Sequence, residues 1–234
     1  MNFIEHIVEP SRLLLTWQSS DEKHRVRYVV AELKRVNGEI SLRYLTNHPD
    51  FQSAKKHGFK LYPAFIEETK VYDLGILDTF MRRLPPKSRG DYIQYLEGLR
   101  LKPDVQLSDF GLLGYSSAKL PSDGFSFIHP FDNVDGSFEF LLEVAGYSYY
   151  VAPDEDVTLG AEATFKIEKE LDRQEDVIKI YVSNKQVGYV TRALIPAVKD
   201  WLIQGRINNA RVEKKNGSPN QPTLYLYLSI AEKK

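Results

Sequence analysis

Asn37-Gly38 stands between two runs of strand-forming residues, Arg25 to Leu33 and Glu39 to Leu45. Asn-Gly is the dipeptide that most readily takes positive φ at both central positions of a two-residue turn, which matches the right-handed twist of paired strands. That junction commits this part of the chain to an antiparallel hairpin. The apolar run Arg12 to Trp17 and the polar turn Ser19-Ser20-Asp21-Glu22 precede it, so the N-terminal portion reads as a three-stranded antiparallel meander.

The segments that follow are short. His48 to Lys56, Asp78 to Arg83, Asp91 to Leu99 and Gln106 to Leu113 read as helical pieces, and Tyr92, Tyr95, Leu96 and Leu99 fall on one helix face. Leu84-Pro85-Pro86 cannot be helix, because proline removes a donor and clashes with the preceding turn. From 116 to 137 Ser, Pro, Asp, Gly and Asn dominate, interleaved with Phe125, Phe127, Ile128 and Phe131. This stretch reads as a packed junction between two domains, 1–115 and 138–234. Beyond it, Phe138 to Val144, Ala163 to Ile167, Val177 to Val182, Gln186 to Val190, Ala210 to Lys214 and Thr223 to Ile230 read as strands. Ile195 to Leu202 reads as a helix with Leu194, Val198 and Leu202 on one face and Gly205 as its stop.

The 234 residues include no cysteine, so disulfides, thiolate metal sites and a Cys nucleophile are excluded. Neither a signal peptide nor an apolar run of membrane-spanning length is visible, and a cytoplasmic protein is expected. The five histidines lack metal-ligand spacing, no glycine-rich phosphate loop occurs, and the carboxylate run Asp154-Glu155-Asp156 reads as a solvated turn. The expectation is a non-enzymatic protein with no cofactor. Net charge is −1, but it is unevenly spread: 126–168 holds nine acids and one base, whereas 169–234 holds twelve bases and seven acids. The basic segment suits contact with phosphate, and fourteen Tyr supply faces on which bases stack. Arg82, Arg83, Lys87 and Arg89 could extend such a phosphate track.

The block Val177-Ile178-Lys179-Ile180-Tyr181-Val182, with Gln186-Val187-Gly188-Tyr189-Val190-Thr191-Arg192 after it, resembles the central stretch of HIRAN domains, close to "A-I-x-V…x-x-V-G-Y-V-P-R" before a helix. Phe140 to Tyr150 is similar to that family's first strand and aromatic turn. The resemblance covers about the last 95 residues, in the manner of bacterial stand-alone members. Their preceding region is matched by Leu15-Thr16-Trp17-Gln18, Tyr28 to Leu33, Gly58 to Phe65 and Phe80 to Tyr95. The meander with the Leu84-Pro85-Pro86 loop also faintly resembles the N-terminal subdomain of HipA-type toxin kinases, although no kinase core follows.

The resemblance implies an α+β protein: an N-terminal antiparallel meander with helices, then a small OB-related β-barrel with one or two helices. It also implies binding of single-stranded DNA or DNA 3′ ends in repair, restriction or defence. The stacking aromatics would be Tyr147, Tyr149 and Tyr150, and the phosphate contacts Tyr189 and Arg192. Arg173 and Gln174 occupy the turn where the family carries "N-P-x-D"; Gln174 stands where its Asp binds the terminal hydroxyl, so this chain departs from the end-reading pattern. The competing expectation is a protein-interaction adaptor that has lost DNA binding, with the acidic 126–168 segment as its support.

Overall fold

The computed structural model describes residues 2–21, 26–120, 122–150, 157–170, 175–218 and 221–233. It is a mixed α/β structure whose strands are antiparallel and lie in three open sheets. Two compact units share the chain without following its order. One contains Met1–Ile7, Arg100–Lys102 and Asn133–Lys234, and the other contains Val8–Leu99 and Pro103–Asp132.

In the second of these, β1 (Arg12–Gln18), β2 (Arg27–Val36), β3 (Glu39–Tyr44) and β4 (Phe125–Ile128) form a sheet in the order β3-β2-β1-β4. The β2–β3 turn has positive φ at both Asn37 (51°) and Gly38 (87°), the conformation that Asn-Gly favours. Strand register places Leu13 and Leu15 on one face with Ala31, Leu33 and Phe127. Helices α1 (Pro49–Lys56), α2 (Ile76–Met81), α3 (Tyr92–Gly98) and α4 (Asp109–Ser116) accompany this sheet. Gly114 of α4 comes so close that a Cβ there would lie 2.8 Å from Leu13 Cδ2. An aromatic cluster fills the core, with Phe80 4.8 Å from both Tyr62 and Phe127 in edge-to-face geometry.

β4 was not expected. It lies inside the segment read as a junction, and all four of its residues are buried. Its polar flanks masked a strand whose pairing with β1 is what buries it. A second difference concerns Arg83, which as a loop cation could have faced solvent or phosphate. Its guanidinium is buried, bidentate to Asp123 at 2.7 and 2.8 Å, and it also donates to the carbonyls of Ala118 and Phe125. Lys87 pairs with Asp109 and Arg89 with Asp91. The loop cations are largely engaged within the unit.

In the other unit, β5 (Phe138–Glu143), β10 (Gln221–Ile230) and β9 (Ile207–Ser218) form a sheet in the order β5-β10-β9. β6 (Ala163–Glu170), β7 (Glu175–Val182) and β8 (Lys185–Tyr189) form another. Isolated antiparallel bridges, Ala145 to Tyr189 and Glu162 to Arg211, join these two sheets at both edges. Helix α5 (Tyr147–Tyr150) is a single turn, and α6 (Ile195–Ile203) buries Val198 and Trp201. Trp201 packs on Phe138 and Phe140 at 5.4 and 5.8 Å, so it anchors the helix where Leu202 was expected to.

Residues 2–6 are bound into this unit by two buried carboxylates. Glu139 accepts from the backbone of Glu5 and His6, and Glu213 accepts from Asn2 and from Arg100 Nε. Desolvation pushes the Glu213 carboxyl up, but the Asn2 hydrogen bonds and the Arg100 charge outweigh it and hold it below the usual range.

Replacing Arg83 by Gln strands Asp123 and two carbonyls, so urea unfolding should show a loss of about 3 kcal/mol, against under about 0.5 kcal/mol for Arg82→Gln on the exposed neighbour. His129 is buried, and desolvation lowers its pKa to about 4. Its Nδ1 accepts from Phe131 N–H at 2.9 Å, so Nε2 carries the proton toward the Val8 carbonyl. Below about pH 6.5 the unfolded chain takes up a proton that the folded one refuses, so stability falls toward pH 4 by about 3 kcal/mol. A His129→Asn variant, which keeps an acceptor but cannot titrate there, should show a shallower decline over that window.

Candidate nucleic-acid interface

Gly188 makes the candidate surface possible. Its φ of 150° is rare for a residue with a side chain, and a Cβ there would sit 2.4 Å from the Ala145 carbonyl oxygen. Without that Cβ, β8 approaches the end of β5 and Ala145 exchanges two backbone hydrogen bonds with Tyr189, each 2.9 Å. The turn of α5 begins two residues after Ala145, and its Tyr150 stands over Tyr189.

Tyr149 is 85% exposed, and its ring meets Tyr150 at 5.4 Å and 71°. Tyr150 lies 5.3 Å from the Tyr189 ring and donates its hydroxyl to the Tyr189 hydroxyl at 2.9 Å. Desolvation, followed by that hydrogen bond, raises the Tyr150 phenol above its ordinary pKa, so it stays protonated across the physiological range. Tyr147 does not share the ledge that was expected of it. It is buried, because the first residue of this single turn points into the unit, and it offers no face to a ligand.

Arg192 begins the turn before α6 and gives its Nη2 to Glu175 at 2.6 Å. Arg173 and Gln174 lie outside the described residues, as does Asp154-Glu155-Asp156. Among the described residues no group of three or more His, Asp or Glu is arranged to hold a metal ion.

Sheet register adds residues that the sequence reading passed over. Lys179 lies opposite both Tyr189 and Lys166, and Tyr181 lies two residues from Lys179 on the same face. Glu168 takes the charge of both lysines, at 3.1 Å from Lys166 and 2.6 Å from Lys179. Those hydrogen bonds hold the Glu168 carboxyl below its usual range, and the bond to Glu168 raises the Lys179 ammonium. The available signal was the two-residue period of Lys179 and Tyr181, which becomes a shared face only once cross-strand partners are known. The face thus alternates aromatic rings with cations, a composition that suits a single strand of nucleic acid. Neither a family model, nor a curated protein, nor a solved structure matches the chain.

Gly188→Ala should cost about 2 kcal/mol or more, since neither the φ nor the 2.4 Å approach tolerates a methyl group. Hydrogen exchange at the Ala145 and Tyr189 amides should accelerate more than exchange in the β2–β3 hairpin.

Proposed function

We propose that the unit containing β5–β10 binds single-stranded nucleic acid, preferentially DNA, without catalysing a reaction on it. The observation that carries this reading is the ledge of Tyr149, Tyr150 and Tyr189, with one ring almost fully exposed and the others locked by a hydroxyl pair. An exposed aromatic face stacks a base for about 1–3 kcal/mol without demanding a sequence. Lys179 on the same face, and Arg192 just after β8, supply charge for the backbone.

The HIRAN-like, OB-related barrel belongs to the same proposal. Its support is the cyclic strand order: β6-β7-β8 meets β5 through Ala145–Tyr189, and β5-β10-β9 returns to β6 through Glu162–Arg211. The reading assigns the protein to the cytoplasm, in repair, restriction or defence. No helix among the described residues is long and apolar enough to cross a membrane.

One observation favours the adaptor reading. Glu168 and Glu175 neutralise much of the charge of Lys166, Lys179 and Arg192, so the face attracts phosphate less than its lysine and arginine content implies.

Fluorescence anisotropy of the full chain with labelled single strands separates the two. Under the proposal, a single strand binds more tightly than a duplex of the same length, and affinity falls steeply with salt. Tyr149→Ala with Arg192→Ala should weaken binding by about tenfold or more. A requirement for a free 3′ hydroxyl over a 3′ phosphate would extend the reading to DNA ends. Absence of binding at low salt would overturn the proposal in favour of the adaptor.

A further inference from the structure

β6 is an edge strand whose outward backbone groups can be assigned. The Ile178 carbonyl accepts from Val190 N–H at 2.9 Å, so Ile178 directs its backbone polar groups toward the β8 side. Ile178 is the cross-strand partner of Ile167, and that pair therefore exchanges no hydrogen bonds. The N–H and C=O of Ile167 point to the opposite, outer edge, as do those of Phe165 and Lys169 by the two-residue period. β9 meets the start of this edge, through Gly160, Ala161 and the bridge at Glu162, and no described residue supplies a hydrogen bond to the outer groups of Phe165, Ile167 or Lys169. The side chains agree: Ile178 is fully buried, whereas Ile167 remains 36% exposed.

An open edge normally carries charges that repel another strand. Here the charges are self-complementary. Laid antiparallel on a copy of itself with Ile167 opposite Ile167, the strand sets Lys166 against Glu168 of the second copy, and Glu168 against Lys166. Both pairs fall at non-hydrogen-bonded positions, where side chains stand closest. Ile167, meanwhile, falls at the hydrogen-bonded centre.

We propose that β6 joins β6 of a second copy of this chain in that register, forming a two-fold dimer with one continuous six-stranded sheet, β8-β7-β6 and its mate. The apolar flanks of Phe165 and Ile167 gain cover, and the outer groups of Phe165, Ile167 and Lys169 find partners. An interface made by one strand edge is small, which implies a weak, concentration-dependent dimer. The outer faces bearing Lys179 and Tyr189 become one surface with two tyrosine ledges. The inference stands independently of whether those ledges bind nucleic acid.

The absence of cysteine makes a clean test possible. Lys166→Cys and Glu168→Cys are made separately and mixed under mild oxidation. The mixed disulfide should form at least about tenfold faster than either like-with-like disulfide, since only the mixed pair lies directly opposite. By sedimentation, the mass of the unmodified chain should rise with concentration. Lys166→Glu should shift that rise to about tenfold higher concentration, and adding Glu168→Lys should restore it. A monomeric mass at every concentration, together with mixed and like disulfides forming at equal rates, would overturn the proposal. Circular dichroism of each variant guards against misfolding, and restoration by the double reversal cannot arise from a variant that fails to fold.

Discussion

The candidate surface depends on two backbone hydrogen bonds, those exchanged by Ala145 and Tyr189. They bring the end of β5 to the end of β8, strands that sit in different sheets. The approach is closer than any residue but glycine allows at position 188. Everything placed on that side follows: the turn of α5, the exposed ring of Tyr149, and the hydroxyl pair of Tyr150 and Tyr189. A side chain at 188 would therefore act on the ledge through the backbone, without touching a tyrosine.

Where local chemistry decides structure, the sequence was legible. Asn37-Gly38 dictated its turn, and the alternation in Val177 to Val182 gave a strand with Ile178 and Ile180 fully buried. Ser108 illustrates the limit, because α4 starts beside a residue whose hydroxyl accepts from Gly111 N–H, three positions later than expected. Partners distant in sequence decided what was missed. β4 is a strand because β1 offers it an edge, and Arg83 is inward because Asp123 waits forty residues away. Tyr147 and Tyr149 are two residues apart in the same aromatic run, yet one is core and the other surface. Only the direction of a single helical turn separates them. Lys179 became part of the site for the same reason, since its neighbours Tyr189 and Lys166 are set by register.

Some of the buried charge in this protein is satisfied by backbone. Arg206 donates to the carbonyls of Val134, Asp135, Gly136 and Ala231 at 2.8 to 3.1 Å. Glu139 does the converse, collecting backbone N–H groups from Glu5 and His6. Such groups tie loops and termini to strands without an apolar interface, because each unmade hydrogen bond in a buried place costs about 1–3 kcal/mol. Glu32 is met by side-chain charge instead, as Arg83 is by Asp123: buried, it is surrounded by Arg12, Lys34 and Arg43. Desolvation raises its carboxyl, and the Arg43 hydrogen bond with the nearby charges more than reverses that.

The anchoring of residues 2–6 on Glu139 and Glu213 carries a consequence for biosynthesis. The strap is made before its binding partners, which lie in β5 and β9 and emerge from the ribosome more than a hundred residues after it. The segments Val8–Leu99 and Pro103–Asp132 of the other unit are all synthesised in the meantime, and domains commonly form as units during synthesis. The strap thus finds its place only after segments that follow it by more than a hundred residues have been made. A fragment cut to begin at β5 would leave two buried carboxylates facing vacated ground.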